Sequence, residues 1–195
     1  DDTILSAAAT SGAPSGIYSL QVNSLAQAHQ ITSQGYADSD SEITQGTLGV
    51  QIGSGAVVNI TIDPTNNTLQ GLADAINSTE TGVSAAIIND GSTGGTPYRL
   101  LLTSSQSGTS GAITITNSLG GSGGGATQPS FANPDVQVAA DASITIGSGP
   151  GAISVSSANN QIEEVIPGVT LDLLSADASK TCLLYTSPSP RDDVI

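Results

Sequence analysis

Residues 68–79 read Thr-Leu-Gln-Gly-Leu-Ala-Asp-Ala-Ile-Asn-Ser-Thr. Four apolar residues in this stretch recur at the i, i+3, i+4 and i+7 spacing of one helix face, namely Leu69, Leu72, Ala73 and Ile76. The pattern predicts an amphipathic α-helix. Asn67 or Thr68 is suited to cap its first turn, and Gly82 follows shortly after its end.

The residues on both sides of this helix have the alternation and the β-branched composition of strands. Residues 47–52 and 57–62 flank Gly53-Ser-Gly-Ala56, which predicts a hairpin, and Asp63-Pro64 ends its second strand. Three more strands are predicted after the helix, at residues 83–89, 98–103 and 112–116. The segment therefore reads β-β-α-β-β-β, with one helix on a mostly antiparallel sheet.

The two ends of the chain also have strand patterns. Residues 17–23 alternate, with Tyr18, Leu20 and Val22 facing a core. Residues 25–31 fit either a helical turn or an extended edge strand. A second hairpin is predicted at 142–146 and 152–155, a short turn of helix at 159–165, and a final strand at 168–174.

These patterns predict an α+β fold that is predominantly β, with antiparallel sheets, one helix and two small lobes. We expect an N-terminal β segment at 1–45 and the helix-bearing lobe at 46–118. A Gly-rich linker is expected at 119–130, because Gly120-Gly-Ser-Gly-Gly-Gly125 is flexible by composition. A C-terminal β segment follows at 131–180, and residues 181–195 form a separate tail.

The composition limits the partners that the chain can have. Its 195 residues carry three Lys or Arg against seventeen Asp or Glu, a net charge of −14. Such acidity repels nucleic acid and anionic membrane surfaces, and no apolar run reaches the ~18 residues of a membrane span. We therefore expect no nucleic acid partner and no membrane insertion.

Two acidic motifs and a glycine motif are candidate sites. Asp38-Ser-Asp-Ser-Glu42 spaces carboxylates like the start of a calcium loop, but Ile43 and Gly49 stand where an EF-hand needs Gly and Glu. Glu163-Glu164 are sequence neighbours, whereas hydrolytic carboxylate pairs face each other across a cleft. Gly53-Ser-Gly55 lacks the remaining residues of a nucleotide loop. These motifs are interpreted as surface features.

The remaining candidate residues also lack the sequence partners of a known catalytic or metal-binding motif. His29 is the one histidine, and no nucleophile-elbow motif accompanies it. Cys182 is the one cysteine, which excludes an internal disulfide. Three Asn-x-Thr motifs, at Asn59, Asn66 and Asn77, matter only in a glycosylating pathway. The sequence predicts no enzyme and no catalytic, cofactor or metal residue.

Four segments, in order, resemble the filament cap protein family of bacterial flagella, the hook-associated proteins two. Residues 16–28 are similar to its "G-x-Y-S-x-x-V-x-x-L-A-Q-A" signature, and residues 68–77 with 82–85 to its "T-L-x-x-L-A-x-A-I-N … G-V-x-A" element. Residues 100–108 are similar to "L-x-L-T-S-x-x-S/T-G", and residues 141–171 to "D-A-x-I-x-I … S-N-x-I … I-P-G-V-T-L". Two small departures occur, at Gly147 and at 158–160.

The resemblance implies a function that composition leaves open. It implies an extracellular protein at the filament tip, which assists flagellin polymerisation and contacts flagellin, other axial proteins and its own copies in a ring-like oligomer. In that family a coiled-coil leg carries a β-rich head. This chain has no heptad pattern of adequate length and corresponds to the head. The alternatives are an extracellular β-rich adhesin, which shares the acidic Gly/Ser/Thr-rich composition, and a carbohydrate-active module. The carbohydrate-active module is the least favoured of these, because it needs exposed aromatic platforms and the chain has only five aromatic residues.

The last part of the chain resembles something else. Cys182-Leu-Leu-Tyr-Thr-Ser-Pro-Ser-Pro-Arg-Asp192 is similar to a translated sequencing-library adapter. We therefore expect a non-native tail from about residue 181, which makes the only cysteine foreign to the natural protein.

Overall fold

The computed structural model describes residues 2–121 and 126–186. Within them the chain forms thirteen strands and one α-helix, in this order: β1 (Leu5–Ala9), β2 (Gly16–Ser24), β3 (Ala28–Thr32), β4 (Gln45–Ile52), β5 (Val58–Ile62), α1 (Leu69–Ser78), β6 (Val83–Asn89), β7 (Tyr98–Ser107), β8 (Ile113–Gly121), β9 (Ala142–Ile146), β10 (Ile153–Ser157), β11 (Gln161–Ile166), β12 (Val169–Leu173) and β13 (Cys182–Thr186). All strand pairs in these sheets are antiparallel. The predicted α+β, mostly β fold with one helix and two lobes is confirmed.

The chain divides into two compact units. One unit is formed by Asp1–Gln27 together with Ala140–Ile195, and the other by Ala28–Ala139. These units are defined by spatial contacts. The segments expected at 1–45, 46–118 and 131–180 are defined by sequence pattern, and they stay a prediction.

The unit formed by Ala28–Ala139 contains two three-stranded sheets, in the orders β3-β7-β6 and β5-β4-β8. The predicted β-β-α-β-β-β order is confirmed, and the hairpin of β4 and β5 pairs Leu48 with Ile60. A hydrophobic core joins α1 to the inward residues of these strands. Leu48, Leu72 and Leu100 are completely buried in it. Each such side chain contributes about 1.5–3 kcal/mol through its removal from water.

The other unit contains the sheets β1-β12-β11 and β10-β9-β2-β13. Strand β2 buries Leu20 and Val22 as its alternation predicts, and Tyr18 packs against the same core. The hairpin predicted near residue 150 is confirmed, because β9 and β10 pair from Ile146 with Ile153 to Ala142 with Ser157.

Two segments that the sequence pattern did not assign to strands are strands in the structure. Residues 25–31 had two interpretations, and the structure places β3 there, paired with β7. The short turn of helix predicted at 159–165 is wrong, because β11 pairs with β12 through Ile162 and Leu171. The four-residue spacing of the buried Ile162 and Ile166 imitates a helix face. A bulge between Glu163 and Ile166 lets a strand bury both.

The Gly-rich stretch and the tail are described only in part. Gly120 and Gly121 belong to β8, where Gly121 pairs with Gln45, and residues 122–125 lie outside the described residues. In the tail, β13 pairs with β2 and forms the edge strand of that sheet. Residues 187–195 lie outside the described residues, and the expected foreign origin of the tail stays a prediction.

Candidate functional site

The helix α1 begins where its sequence predicts. The Thr68 hydroxyl accepts a hydrogen bond from the Gly71 amide at 3.0 Å, which satisfies one of the free amides of the first turn. Its buried stripe is the predicted one: Leu69, Leu72, Ala73 and Ile76.

The acidic loop at residues 38–42 forms the other part of this helix start. The Leu69 amide donates to the carbonyl of Ser41 at 3.0 Å, and the Gln70 amide donates to the carbonyl of Ser39 at 2.9 Å. Inside the loop, the Asp38 carboxylate accepts from the Asp40 amide at 2.9 Å. The carbonyls of this loop therefore complete the helix cap.

The loop does not gather a metal site. Ile43, at the position where a calcium loop turns on a glycine, is completely buried in the core. Across residues 2–121 and 126–186, no group of three or more His, Cys, Asp or Glu side chains is placed to hold a metal ion.

The helix end is joined to the next strand by one side chain. Asn77 donates through its amide nitrogen to the carbonyl of Ala85 and accepts from the Ala85 amide, both at 2.8 Å. Gly82 turns the chain between them with a φ of +71°, in the left-handed region that favours glycine. The "A-I-N … G-V-x-A" motif thus has a structural meaning, since its Asn pairs with the backbone of its final Ala.

The other two Asn-x-Thr motifs differ in their surroundings. The Asn66 side chain accepts from the Asp63 amide at 2.8 Å and donates to the Thr61 carbonyl at 3.2 Å. Asn59 lies exposed on β5. Asn66 and Asn77 are therefore structural side chains. Gly53 and Gly55 form the tight turn between β4 and β5, because Gly55 donates to the Ile52 carbonyl at 2.9 Å.

Glu163 and Glu164 are neighbours on strand β11 and do not face each other across a cleft. Both are exposed, and Glu164 has a φ of +61° at the bulge. A side chain with a Cβ is strained in this region. The pair is a surface feature of the hairpin.

His29 is buried, with 8% of its surface exposed. Its Nδ1 accepts a hydrogen bond from the Ile113 amide at 2.8 Å, and its Nε2 lies 3.1 Å from the Asp135 carboxylate. Both ring nitrogens of His29 are therefore used in contacts within the fold.

Asp90 and Tyr36, in the same unit, have shifted pKa values. The hydrogen bond from Arg99, at 2.6 Å, and those from Ser92 lower the pKa of Asp90 to about 2. Burial raises the pKa of the Tyr36 phenol well above its ordinary value. The Tyr36 hydroxyl is the one buried side-chain polar atom of the described chain that has no hydrogen-bond partner. Neither shift was predicted from the sequence, because its partners or its burial depend on the folded chain.

The described chain has no helix that is both long enough and apolar enough to span a bilayer.

Similarity to known proteins covers most of the chain. The sequence profile of the flagellin hook IN motif matches residues 43–106. The B-type flagellar hook-associated protein 2 of Pseudomonas aeruginosa PAO1 is 37% identical over 207 residues, which cover 99% of this chain and 42% of that protein. The flagellar hook-associated protein 2 of Escherichia coli K12 is 36% identical, over 54% of this chain and 23% of that protein. The chain thus spans less than half the length of these relatives.

Solved structures show the same fold. The crystal structure of FliD from Pseudomonas aeruginosa PAO1 superposes with a TM-score of 0.81 at 34% identity, over 95% of this chain and 85% of that chain. The D1-D2-D3 domains of the flagellar cap protein FliD from Escherichia coli superpose with a TM-score of 0.78 at 28% identity, over 96% of this chain and 54% of that chain. These matches support the flagellar interpretation of the sequence motifs and give no support to the adhesin alternative.

Proposed function

Because this chain belongs to the flagellar hook-associated protein 2 family, we propose that it is the head part of a cap on a bacterial flagellar filament. In this role it works outside the cell at the filament tip and promotes the polymerisation of flagellin. The observation that carries the proposal is the superposition on the Pseudomonas aeruginosa protein, at 34% identity over 85% of its chain.

The proposed activity is structural and not enzymatic. The buried His29 imidazole uses both nitrogens in contacts within the fold. The exposed Glu163 and Glu164 lie on strand β11. Such an arrangement favours a protein that acts through surface contacts, and the proposed partners are flagellin, other axial proteins and further copies of the chain in a ring-like oligomer.

The surface is suited to contacts that form and release. The outward positions of β4, β5 and β8 carry hydroxyl and amide side chains. Asn59 and Thr116 lie opposite Gly49 on its two sides, and Thr61 and Ser118 lie opposite Thr47 in the same way. Interfaces of this polar type are wet and bind more weakly than a hydrophobic core cut in half. We propose that weak contacts of this kind allow a cap to move as the filament grows.

The tail requires a separate proposal. We propose that Cys182–Asp192 is not part of the natural protein, as its resemblance to a translated adapter implies. Strand β13 leaves Leu183 55% and Tyr185 67% exposed at the sheet edge. Apolar side chains at an open edge are a feature that natural sheets avoid, which supports the proposal.

A chimera tests the proposed function. Residues 2–181 replace the matching region of the Pseudomonas aeruginosa protein in a strain that lacks its own cap gene. We expect filaments to form, with flagellin in filaments and not free in the medium. A chimera that accumulates at the normal level and still leaves flagellin as free monomer would contradict the proposal.

Two substitutions in α1 provide the controls. Leu72→Asp places a charge in the completely buried core and should abolish the chimera's activity by unfolding this unit. Asp74→Asn changes an exposed residue of the same helix and should leave filament assembly unchanged.

A further inference from the structure

His29 connects three parts of its unit that are distant in sequence. It lies on β3, it accepts the amide of Ile113 at the first residue of β8, and it contacts Asp135. Asp135 belongs to residues 126–139, which we call the covering segment. This segment contains none of the strands or helices of the unit.

The covering segment is held mainly by polar contacts. Asn133 donates to the Ser33 carbonyl at 2.8 Å, and the Val136 amide donates to the Gln30 carbonyl at 2.9 Å. The Ser130 backbone amide donates to the side-chain oxygen of Gln34, and the Gln34 backbone amide donates to the Ser130 carbonyl. Segments held in this way open more easily than core strands.

A cavity of about 480 Å³ lies between the segment and the sheets. Its walls include His29, Ile31 and Ile115 on the strands, and Phe131 and Asp135 on the segment. Asp135 is the one charged residue among the side chains that line it, apart from His29 when protonated. The neighbouring ends of β7 and β8, Ser107 and Ile113, present no charged group to the imidazole.

The hydrogen bonds define the protonation state of His29. A backbone amide only donates, so Nδ1 has to be the unprotonated nitrogen, and the single ring hydrogen then lies on Nε2 and points to Asp135. This neutral tautomer satisfies both nitrogens. A second proton has to go to Nδ1, where the Ile113 amide already points its own hydrogen.

We propose that His29 is an acid-sensitive tether, which holds the covering segment and the start of β8 in place when it is neutral and releases them when Nδ1 is protonated. Protonation here breaks the hydrogen bond to Ile113 and leaves a buried amide without a partner, which opposes the closed form. Acidification therefore favours opening of the segment.

One interaction acts in the opposite direction. A protonated His29 forms an ion pair with Asp135, which strengthens that single contact. The Asp135 side chain is 38% exposed, so water and salt screen the attraction. The loss at Nδ1 takes place on the buried side of the ring, and we infer that it exceeds the gain at Nε2.

Amide hydrogen exchange of the full chain, followed by NMR at pH 7.5 and pH 5.0, tests the proposal. At pH 5.0 ordinary imidazoles are mostly protonated and ordinary carboxylates mostly ionised. After correction for the intrinsic exchange rate, we expect the protection of the Ile113 amide and of the covering segment to fall at least about tenfold at pH 5.0. The amides of α1 serve as the internal reference and should change little. Equal or greater protection at pH 5.0 would overturn the proposal, because the ion pair would then dominate.

Two variants separate His29 from its partner. His29→Asn keeps a side-chain oxygen near the place of Nδ1 and does not titrate, so the pH effect should vanish. Asp135→Asn keeps an acceptor for Nε2 and removes the carboxylate, so the effect should persist. Loss of the effect in Asp135→Asn would assign it to the carboxylate and overturn the proposal, and this result can be obtained even if His29→Asn does not fold.

Discussion

The glycine inside α1 gives the sharpest prediction. Replacement of a glycine within a helix by alanine usually stabilises a protein by about 1 kcal/mol. At Gly71, however, an added Cβ would lie 2.3 Å from the carbonyl oxygen of Asn66. We predict that Gly71→Ala destabilises the protein.

The magnitude follows from how firmly Asn66 is held. Its amide donates to the Asp63 carbonyl at 3.2 Å, its side chain accepts from the Asp63 amide at 2.8 Å, and the next carbonyl, of Asn67, accepts from the Ile43 amide at 3.0 Å. Normal contact requires a backbone shift of about 1 Å against these bonds. Overpacking of this kind costs up to about 3 kcal/mol. After the helix gain of about 1 kcal/mol is subtracted, the net loss is up to about 2 kcal/mol.

Urea unfolding followed by circular dichroism at 222 nm measures this change, because α1 is the one α-helix of the described chain. The two units can unfold separately, so their transitions are fitted separately. Ser78→Ala, at an exposed position near the end of the same helix, is the matched control and should stay within about 0.5 kcal/mol of the parent. A Gly71→Ala variant that is more stable by about 1 kcal/mol would refute the steric argument.

Three further predictions concern single side chains. Tyr36→Phe should raise the free energy of unfolding by about 1 kcal/mol, because the buried hydroxyl has no partner; a lower stability in urea unfolding would indicate a hidden partner. Glu164→Gly should stabilise by about 1 kcal/mol through relief of the left-handed strain, whereas Glu164→Ala keeps the strain and should show no such gain. Asp90→Asn should lower the melting temperature at pH 7, since the lowered pKa of Asp90 adds stability that is present above about pH 4. This difference from the parent should disappear as the pH falls towards 2, and a difference that persists at pH 2 would exclude the ion pair with Arg99 as its cause.

Local pattern was sufficient for the parts of the fold that local forces determine. The stripe of α1 and the Gly-bearing turn between β4 and β5 are short-range features, and both are found where they were predicted. Strand β11 was missed because its two buried isoleucines are four residues apart. Its pairing with the adjacent strand β12, from Gln161 with Asp172 to Ile166 with Val169, identifies it as a strand.

The contacts of the candidate site depend on long-range folding. Ile113 lies 84 residues from His29, and the Ser41 carbonyl that caps Leu69 comes from a loop interpreted as solvated surface. The motif around Asn77 was visible in the sequence as a family signature. Its physical basis, the double hydrogen bond to Ala85, required the fold. The proposed function followed from the family resemblance.

The central claim is that the natural part of this chain is the head of a longer flagellar cap protein. The DNA sequence of the intact gene, read upstream of Asp1 and across Thr181, tests it most directly. The account predicts that the reading frame continues without Cys182–Asp192 and encodes long helices with heptad repeats on both sides. A gene that encodes Cys182–Asp192 and then stops, or continues into repeated β modules, would contradict the account.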